Sequence, residues 1–185
     1  MARPLALTLG EPAGIGLDIT LAAWRRRDEL KLTPFYFLAD PAFVERRAKR
    51  MAPDLTIAVV EPAAAWTAFK TALPVVDIGV RVSAEPGHPD QSSAPAALAA
   101  IRRAVADVCA GAAAAIVTNP VAKNVLYRSG FAEPGHTEFL ARLAAWYRLL
   151  IFPHQGFPFL HFDVASIHCS LSLKTELIVR LHYHK

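Results

Sequence analysis

The sequence predicts an α/β protein, a mostly parallel sheet flanked by helices. Three observations carry that reading. Short apolar runs rich in aromatic and β-branched residues recur at 5–9, 35–39, 55–60 and 114–117. Segments of helical apolar periodicity stand between them. The joins are mostly short, and a chain that alternates strand and helix in this way gives parallel neighbours. With 185 residues the chain suits one complete domain, or one domain plus part of another.

The first run, 5–9, leads into Gly10-Glu11-Pro12-Ala13-Gly14-Ile15-Gly16 and then an amphipathic segment holding Ile19, Leu21, Ala22 and Trp24. This reads as strand, glycine loop, helix. Glycines let backbone N–H groups approach a ligand, and a helix start adds positive potential. The spacing is neither G-x-G-x-x-G nor a P-loop. A structural turn and a cleft-lining loop both remain open. Phe35-Tyr36-Phe37-Leu38-Ala39 is a second strand, and Asp40-Pro41 caps and opens a helix carrying Phe43, Val44, Ala48 and Met51. Residues 55–60 form a third strand, 62–72 are alanine-rich and helical in part, and 75–78 read as a further strand. Residues 81–89, with Pro86, Gly87, His88 and Pro89, form a loop.

Ser92 or Ser93 caps a long helix whose apolar stripe uses Leu98, Ile101, Val105 and Val108, with Arg102 and Arg103 off the stripe and Gly111 as terminator. The buried-strand run 114–117 then delivers Thr118-Asn119-Pro120 to its carboxyl end, where ligands of open α/β sheets sit. Lys123 starts the next helix. It suits a carboxylate or phosphate, or is solvated surface. Gly135-His136-Thr137-Glu138-Phe139 comes next, with imidazole, hydroxyl and carboxylate on consecutive residues. Thr137 is a helix N-cap before the apolar residues Phe139, Leu140 and Leu143. The stretch is either an anion contact beside a histidine or an ordinary cap with an exposed histidine.

After Trp146 the character changes. Residues 148–163 hold four phenylalanines, two prolines and two histidines with no clean period. Ile167-His168-Cys169-Ser170-Leu171 comes after them, and 174–180 is a segment that could begin a helix. The ending at Lys185 is expected to be that of an incomplete second domain, giving domains at 1–135 and 136–185.

Composition excludes several classes. The apolar content is 54% and much of it is alanine, which supplies helix propensity and close packing. Mean hydropathy is +0.28, yet Arg, Asp or Pro interrupts every apolar run before membrane-spanning length. No signal peptide is read at the start. Two cysteines, Cys109 and Cys169, make no disulfide framework or zinc knuckle, so a reduced, cytoplasmic protein is expected. The net charge is +4 and the pI about 9.3. The clusters Arg25-Arg26-Arg27 and Arg46-Arg47-Ala48-Lys49-Arg50 lie on helices without interleaved aromatics, so they read as solvated faces and not as a nucleic-acid footprint.

Four stretches in order resemble the 4-hydroxythreonine-4-phosphate dehydrogenase family of pyridoxal phosphate synthesis. They are Leu7-Thr8-Leu9-Gly10-Glu11-Pro12-Ala13-Gly14-Ile15-Gly16, Gly87-His88-Pro89, Thr118-Asn119-Pro120-Val121-Ala122-Lys123 and Gly135-His136-Thr137-Glu138-Phe139. The resemblance spans roughly residues 4–147. It implies a two-domain fold like that of isocitrate and isopropylmalate dehydrogenases, with the second domain incomplete here. It also implies a homodimer sharing an interdomain active site.

The implied reaction is oxidation, with decarboxylation, of 4-phospho-hydroxy-L-threonine to 3-amino-2-oxopropyl phosphate. NAD (or NADP) is the implied cofactor, with a divalent metal (zinc, magnesium or cobalt). The implied partners are a small phosphorylated hydroxy-amino acid and a second subunit, with no nucleic acid and no membrane. His136 and Thr137 match the family's substrate-binding pair. His168 falls where the family has its first metal histidine, although serine stands where the family's His-x-Pro-Leu pattern has proline. No acid/base residue and no cofactor contact is assigned. The other metal histidines are expected beyond Lys185, so the chain alone is expected to be inactive. The alternatives are a non-catalytic remnant, a paralogue acting on another four-carbon phosphorylated hydroxy acid, or a phosphate-binding module without redox chemistry.

Overall fold

The structure, a computed structural model, describes residues 3–89, 91–132 and 139–144, together with the backbone of two strands at 169–172 and 176–179. Its strands are β1 (Leu5–Thr8), β2 (Phe35–Ala39), β3 (Ile57–Val59), β4 (Leu73–Asp77), β5 (Ile116–Thr118), β6 (Cys169–Ser172) and β7 (Glu176–Val179). The sheet order is β3-β4-β2-β1-β5-β7-β6. The first five strands are parallel, as the alternation of strand and helix requires. The helices are α1 (Gly16–Arg25), α2 (Pro41–Met51), α3 (Pro62–Ala68), α4 (Ala94–Cys109) and α5 (Lys123–Arg128).

Right-handed crossovers place α1 and α2 on one face of the sheet and α3 and α4 on the other. The packing agrees: α1 touches α2, while α3 and α4 both lie on β2. Because both faces are covered, β2 is a continuous apolar run with every residue buried, and the core gathers around Tyr36, Phe37 and Leu38. Asp40 caps α2 as its sequence position predicts. The side chain accepts from the Ala42 N–H at 3.2 Å, and Pro41 takes the first helical position, where no N–H is needed.

Several boundaries differ from the sequence reading. The buried stripe of α1 is Leu17, Thr20, Leu21 and Trp24, not Ile19 and Ala22. Trp24 anchors it by donating its indole N–H to the Phe69 carbonyl at 3.2 Å. Met51, read as part of the apolar face of α2, is 48% exposed at the helix end. β4 begins at Leu73, earlier than expected, because Pro74 looks like a strand breaker. It is tolerated here because it precedes the first β2–β4 pair, Phe37 with Val75. Within 174–180, where a helix start was expected, Glu176–Val179 is a strand. Its apolar, β-branched run Leu177-Ile178-Val179 pairs antiparallel with β5, and β6 pairs antiparallel with it in turn.

One buried polar network ties the two layers together. Tyr36 on β2 donates its hydroxyl to Asp107 of α4 at 2.8 Å, and Arg103 reaches Asp107 at 2.9 Å and Glu61 at 3.2 Å. Burial, then the Asp107 carboxylate, pushes the phenol far above its ordinary range, so it stays a donor at any physiological pH. Tyr36→Phe is expected to cost about 1–2 kcal/mol, since one hydrogen bond to a charged acceptor is lost while Arg103 still partners Asp107. A urea midpoint lowered with an unchanged m-value reports this; an unmoved midpoint refutes it.

Candidate functional site at the switch point of the sheet

The chain leaves β1 toward β2, and it leaves β5 for the opposite side of the sheet, where β7 stands. Adjacent strands whose connections diverge open a crevice at their carboxyl ends, which is where open α/β sheets bind ligands. β1 and β5 pair in register, Ala6 with Ile116 and Leu7 with Val117. The glycine loop after β1 and the Thr118-Asn119-Pro120 segment after β5 therefore meet at this point.

They meet tightly. Asn119, only 7% exposed, donates from Nδ2 to the Thr8 carbonyl and to the Thr20 hydroxyl, both at 3.1 Å. Thr20 in turn donates to the Gly16 carbonyl at 2.8 Å. The Glu11 N–H reaches the Pro120 carbonyl at 2.8 Å. One carboxamide thus links the end of β1, the start of α1 and the end of β5. The glycines serve this contact. Gly10 has φ +70°, and a Cβ on it would stand 2.5 Å from the Pro120 carbonyl oxygen. A Cβ on Gly16 would stand 3.0 Å from Asn119. Both would meet this chain's own atoms. On this side the loop is a packing device, and Gly10 and Gly16 are required by the close approach of Asn119-Pro120.

The outer side of the loop is tied as well. Glu11 turns its carboxylate back to the Ala13 N–H at 3.1 Å, and Ala13 accepts from the Gly87 N–H at 2.8 Å. The Gly87-His88-Pro89 segment is thereby brought to the glycine loop, with His88 exposed. Lys123 opens α5, as the sequence predicts, and its side chain is exposed. Val125 and Leu126 hold α5 against Ala94 and Ala97 of α4.

The principal site residues from the sequence, His136, Thr137 and His168, lie outside the described residues. Just beyond the first two, residues 139–144 are helical, and Phe139 and Leu140 are buried, as expected of an apolar run behind a cap. Phe139 packs edge-on against Phe131 at 5.1 Å, with the Arg102 and Arg142 guanidiniums each 5.7 Å from its ring. Among the described residues no group of three or more His, Cys, Asp or Glu side chains could hold a metal ion. No helix among them is long and apolar enough to cross a membrane. Asn119 as an internal clamp was missed by the sequence reading. The signal was available in the glycines at 10 and 16, which need a close neighbour as readily as a ligand.

A mostly parallel α/β sheet that draws the glycine loop and the Thr118-Asn119-Pro120 segment to one switch point is the architecture of a ligand-binding α/β protein. Residues 31–180 match the family described as "Pyridoxal phosphate biosynthetic protein PdxA", and the chain belongs to that family. It is 62% identical over 152 residues to the 4-hydroxythreonine-4-phosphate dehydrogenase of Bradyrhizobium diazoefficiens, a match covering 78% of this chain and 44% of that protein. It is 54% identical over 145 residues to the Methylorubrum populi protein of the same name, covering 77% and 42%. Among solved structures it is similar to the 4-hydroxythreonine-4-phosphate dehydrogenase from Burkholderia phymatum, with TM-score 0.69 and 25% identity over 77% of this chain and 44% of that one. The Klebsiella pneumoniae enzyme gives TM-score 0.63 and 28% identity over 77% and 44%. A terephthalate 1,2-cis-dihydrodiol dehydrogenase from Burkholderia xenovorans shares the fold, with TM-score 0.55 and 23% identity over 76% and 41%. The chain spans less than half the length of the curated relatives it matches.

Proposed function

We propose that this chain carries part of the substrate site of a dehydrogenase of pyridoxal phosphate (vitamin B6) biosynthesis. The reaction is NAD-dependent, divalent-metal-assisted oxidation, with decarboxylation, of 4-phospho-hydroxy-L-threonine to 3-amino-2-oxopropyl phosphate. The observation that carries this is the 62% identity to a relative named for that substrate, joined to a fold that ends β5 at the sheet's switch point just before the 118–139 motifs.

In this reading His136 and Thr137 grip the substrate, through imidazole and hydroxyl hydrogen bonds, just ahead of the helical residues 139–144. Lys123 offers a cation to the carboxylate or phosphate. The buried clamp at Asn119 fixes the distance between this segment and the glycine loop, so that binding does not spend free energy on ordering it. Hydride acceptance belongs to the cofactor, NAD or NADP. The metal part of the reading rests on the family alone, with His168 as its ligand in this chain. A homodimer whose partner subunit completes the cleft, and a cytoplasmic location, belong to the same proposal.

A paralogue acting on another four-carbon phosphorylated hydroxy acid is the second reading. The dihydrodiol dehydrogenase that shares this fold shows why: fold alone does not choose the substrate.

The test is binding and turnover with 4-phospho-hydroxy-L-threonine against a threonate phosphate, in the native full-length protein with NAD and zinc. NADH formation with the first and not the second is expected, and the reverse preference assigns the paralogue. His136→Ala is expected to weaken substrate binding about tenfold or more, the loss of a hydrogen bond to a charged group. Unchanged calorimetric binding removes His136 from the site.

A further inference from the structure

We propose that the groove between α2 and residues 81–86 is a second, separate anion site, one that takes a phosphomonoester. This goes beyond the proposed function and uses none of its residues. The groove is open to solvent on one side and has a volume of about 750 Å³, room for a small molecule. Its lining holds five basic side chains and two acidic ones. What matters is which of those charges are already neutralised.

Two of the five basic residues are in ion pairs. Arg47 meets Asp18 in a fork, at 2.9 and 2.7 Å, and Arg81 meets Asp40 at 2.8 Å and Asp77 at 3.4 Å. Arg25, Arg26, Arg27 and Arg103 elsewhere in the fold also have acidic partners. Arg46, Lys49 and Arg50 make no ion pair among the described residues. Their spacing of three and four places them on one face of α2. Arg46 is pre-positioned, because its Nη2 donates to the Val82 carbonyl at 2.6 Å. A carbonyl fixes the guanidinium without neutralising it.

Arg47 lines the groove too, and its Nη1 is buried with no hydrogen-bond partner among the described residues, so it adds positive potential and not a donor that a groove ligand reaches. Residues 82–86 also line the groove, among them Ser83 and the apolar residues Ala84 and Pro86. Glu85 is the one acid there outside an ion pair among the described residues, and it leaves the groove net positive.

Three like charges held on one face repel one another, and an oxyanion of charge near −2 relieves that repulsion while accepting several charge-assisted hydrogen bonds. The apolar wall then suits the organic part of a phosphate ester better than inorganic phosphate alone. Among the described residues the groove has no exposed ring that could stack on successive bases, since Phe43 is only 3% exposed, and this favours a small ligand over a nucleic acid. The 81–86 wall is also continuous with Gly87, whose N–H holds the glycine loop.

The experiment is calorimetric titration of the native protein with phenyl phosphate, and with inorganic phosphate, at low salt. Wild type is expected to bind phenyl phosphate more tightly than phosphate. The double variant Lys49→Gln, Arg50→Gln is expected to bind it about tenfold more weakly, with an unchanged Tm because both side chains are exposed. His136→Ala is expected to leave phenyl phosphate binding untouched, which separates this site from the substrate site. Equal affinity in wild type and the double variant, or no binding at all, overturns the proposal. Capture of an oligonucleotide that the double variant loses, without phenyl phosphate binding, overturns it in favour of a nucleic acid.

Discussion

Gly10→Ala is expected to destabilise the protein by about 3 kcal/mol or more, and Gly130→Ala by only about 1 kcal/mol. Both glycines have left-handed backbones, φ +70° and φ +89°, so both alanines carry the same conformational penalty. The difference lies in what the new methyl group meets. At Gly130 no atom of the described residues lies within 4 Å. At Gly10 the Cβ stands 2.5 Å from the Pro120 oxygen and 2.7 Å from the Asn119 Cβ. Backbone atoms hydrogen-bonded to Glu11, and a buried carboxamide bonded to Thr8 and Thr20, have little room to retreat. The methyl therefore drives β1 and β5 apart at their carboxyl ends. Urea unfolding of the two variants against wild type checks this, and equal losses would remove the packing account. In the native full-length protein Gly10→Ala is also expected to weaken binding of 4-phospho-hydroxy-L-threonine, because the displaced Asn119-Pro120 segment leads to Lys123 and onward to His136.

That clamp shows where a sequence is legible and where it is not. β2 is readable because five apolar residues in a row, rich in aromatics and followed by Asp-Pro, have few alternatives to a buried strand ending at a helix cap. The parallel order follows from the alternation of strands and helices. Asn119 is different. Its hydrogen bonds run to Thr8 and Thr20, 111 and 99 residues away, and no local pattern carries such a pairing. The glycines at 10 and 16 announce a close approach but not what approaches. Pro74 misleads for a similar reason: whether a missing N–H matters depends on where the neighbouring ladder begins. The basic run at 46–50 was legible as a charged helical face. That three of its charges lack acidic partners among the described residues while Arg47 has one depends on Asp18 and on the 81–86 loop, both distant in sequence.

Asp40 is the other residue on which both the fold and the groove depend, and its effect should vary with pH. It is 1% exposed. It caps α2 through Ala42, and it accepts from the Val82 N–H at 3.0 Å and from Arg81 at 2.8 Å. Burial pushes its carboxyl pKa up. The Val82 N–H, the Arg81 guanidinium and the Ala42 N–H more than offset this, so the group is held below the usual carboxylate range. The folded state thus prefers the ionised form more than the unfolded chain does. Its contribution is fully present above the unfolded carboxyl value of about 3.9, and is lost as pH falls through the lower folded value. Asp40→Asn keeps the shape but replaces one accepting oxygen by a donor that cannot serve a backbone N–H. It is expected to cost about 2–4 kcal/mol at pH 7, combining a weakened cap with an unmet N–H at Val82. The pH dependence separates the charge from the shape. The gap between wild type and Asp40→Asn should be constant from pH 7 to about pH 5 and should narrow below about pH 4. Urea midpoints measured across that range decide it. A gap that holds its size to pH 3 would mean that Asp40 acts through shape alone. Because Val82 also takes the Arg46 guanidinium on its carbonyl, the same variant is expected to weaken phenyl phosphate binding at pH 7, linking the cap of α2 to the groove it walls.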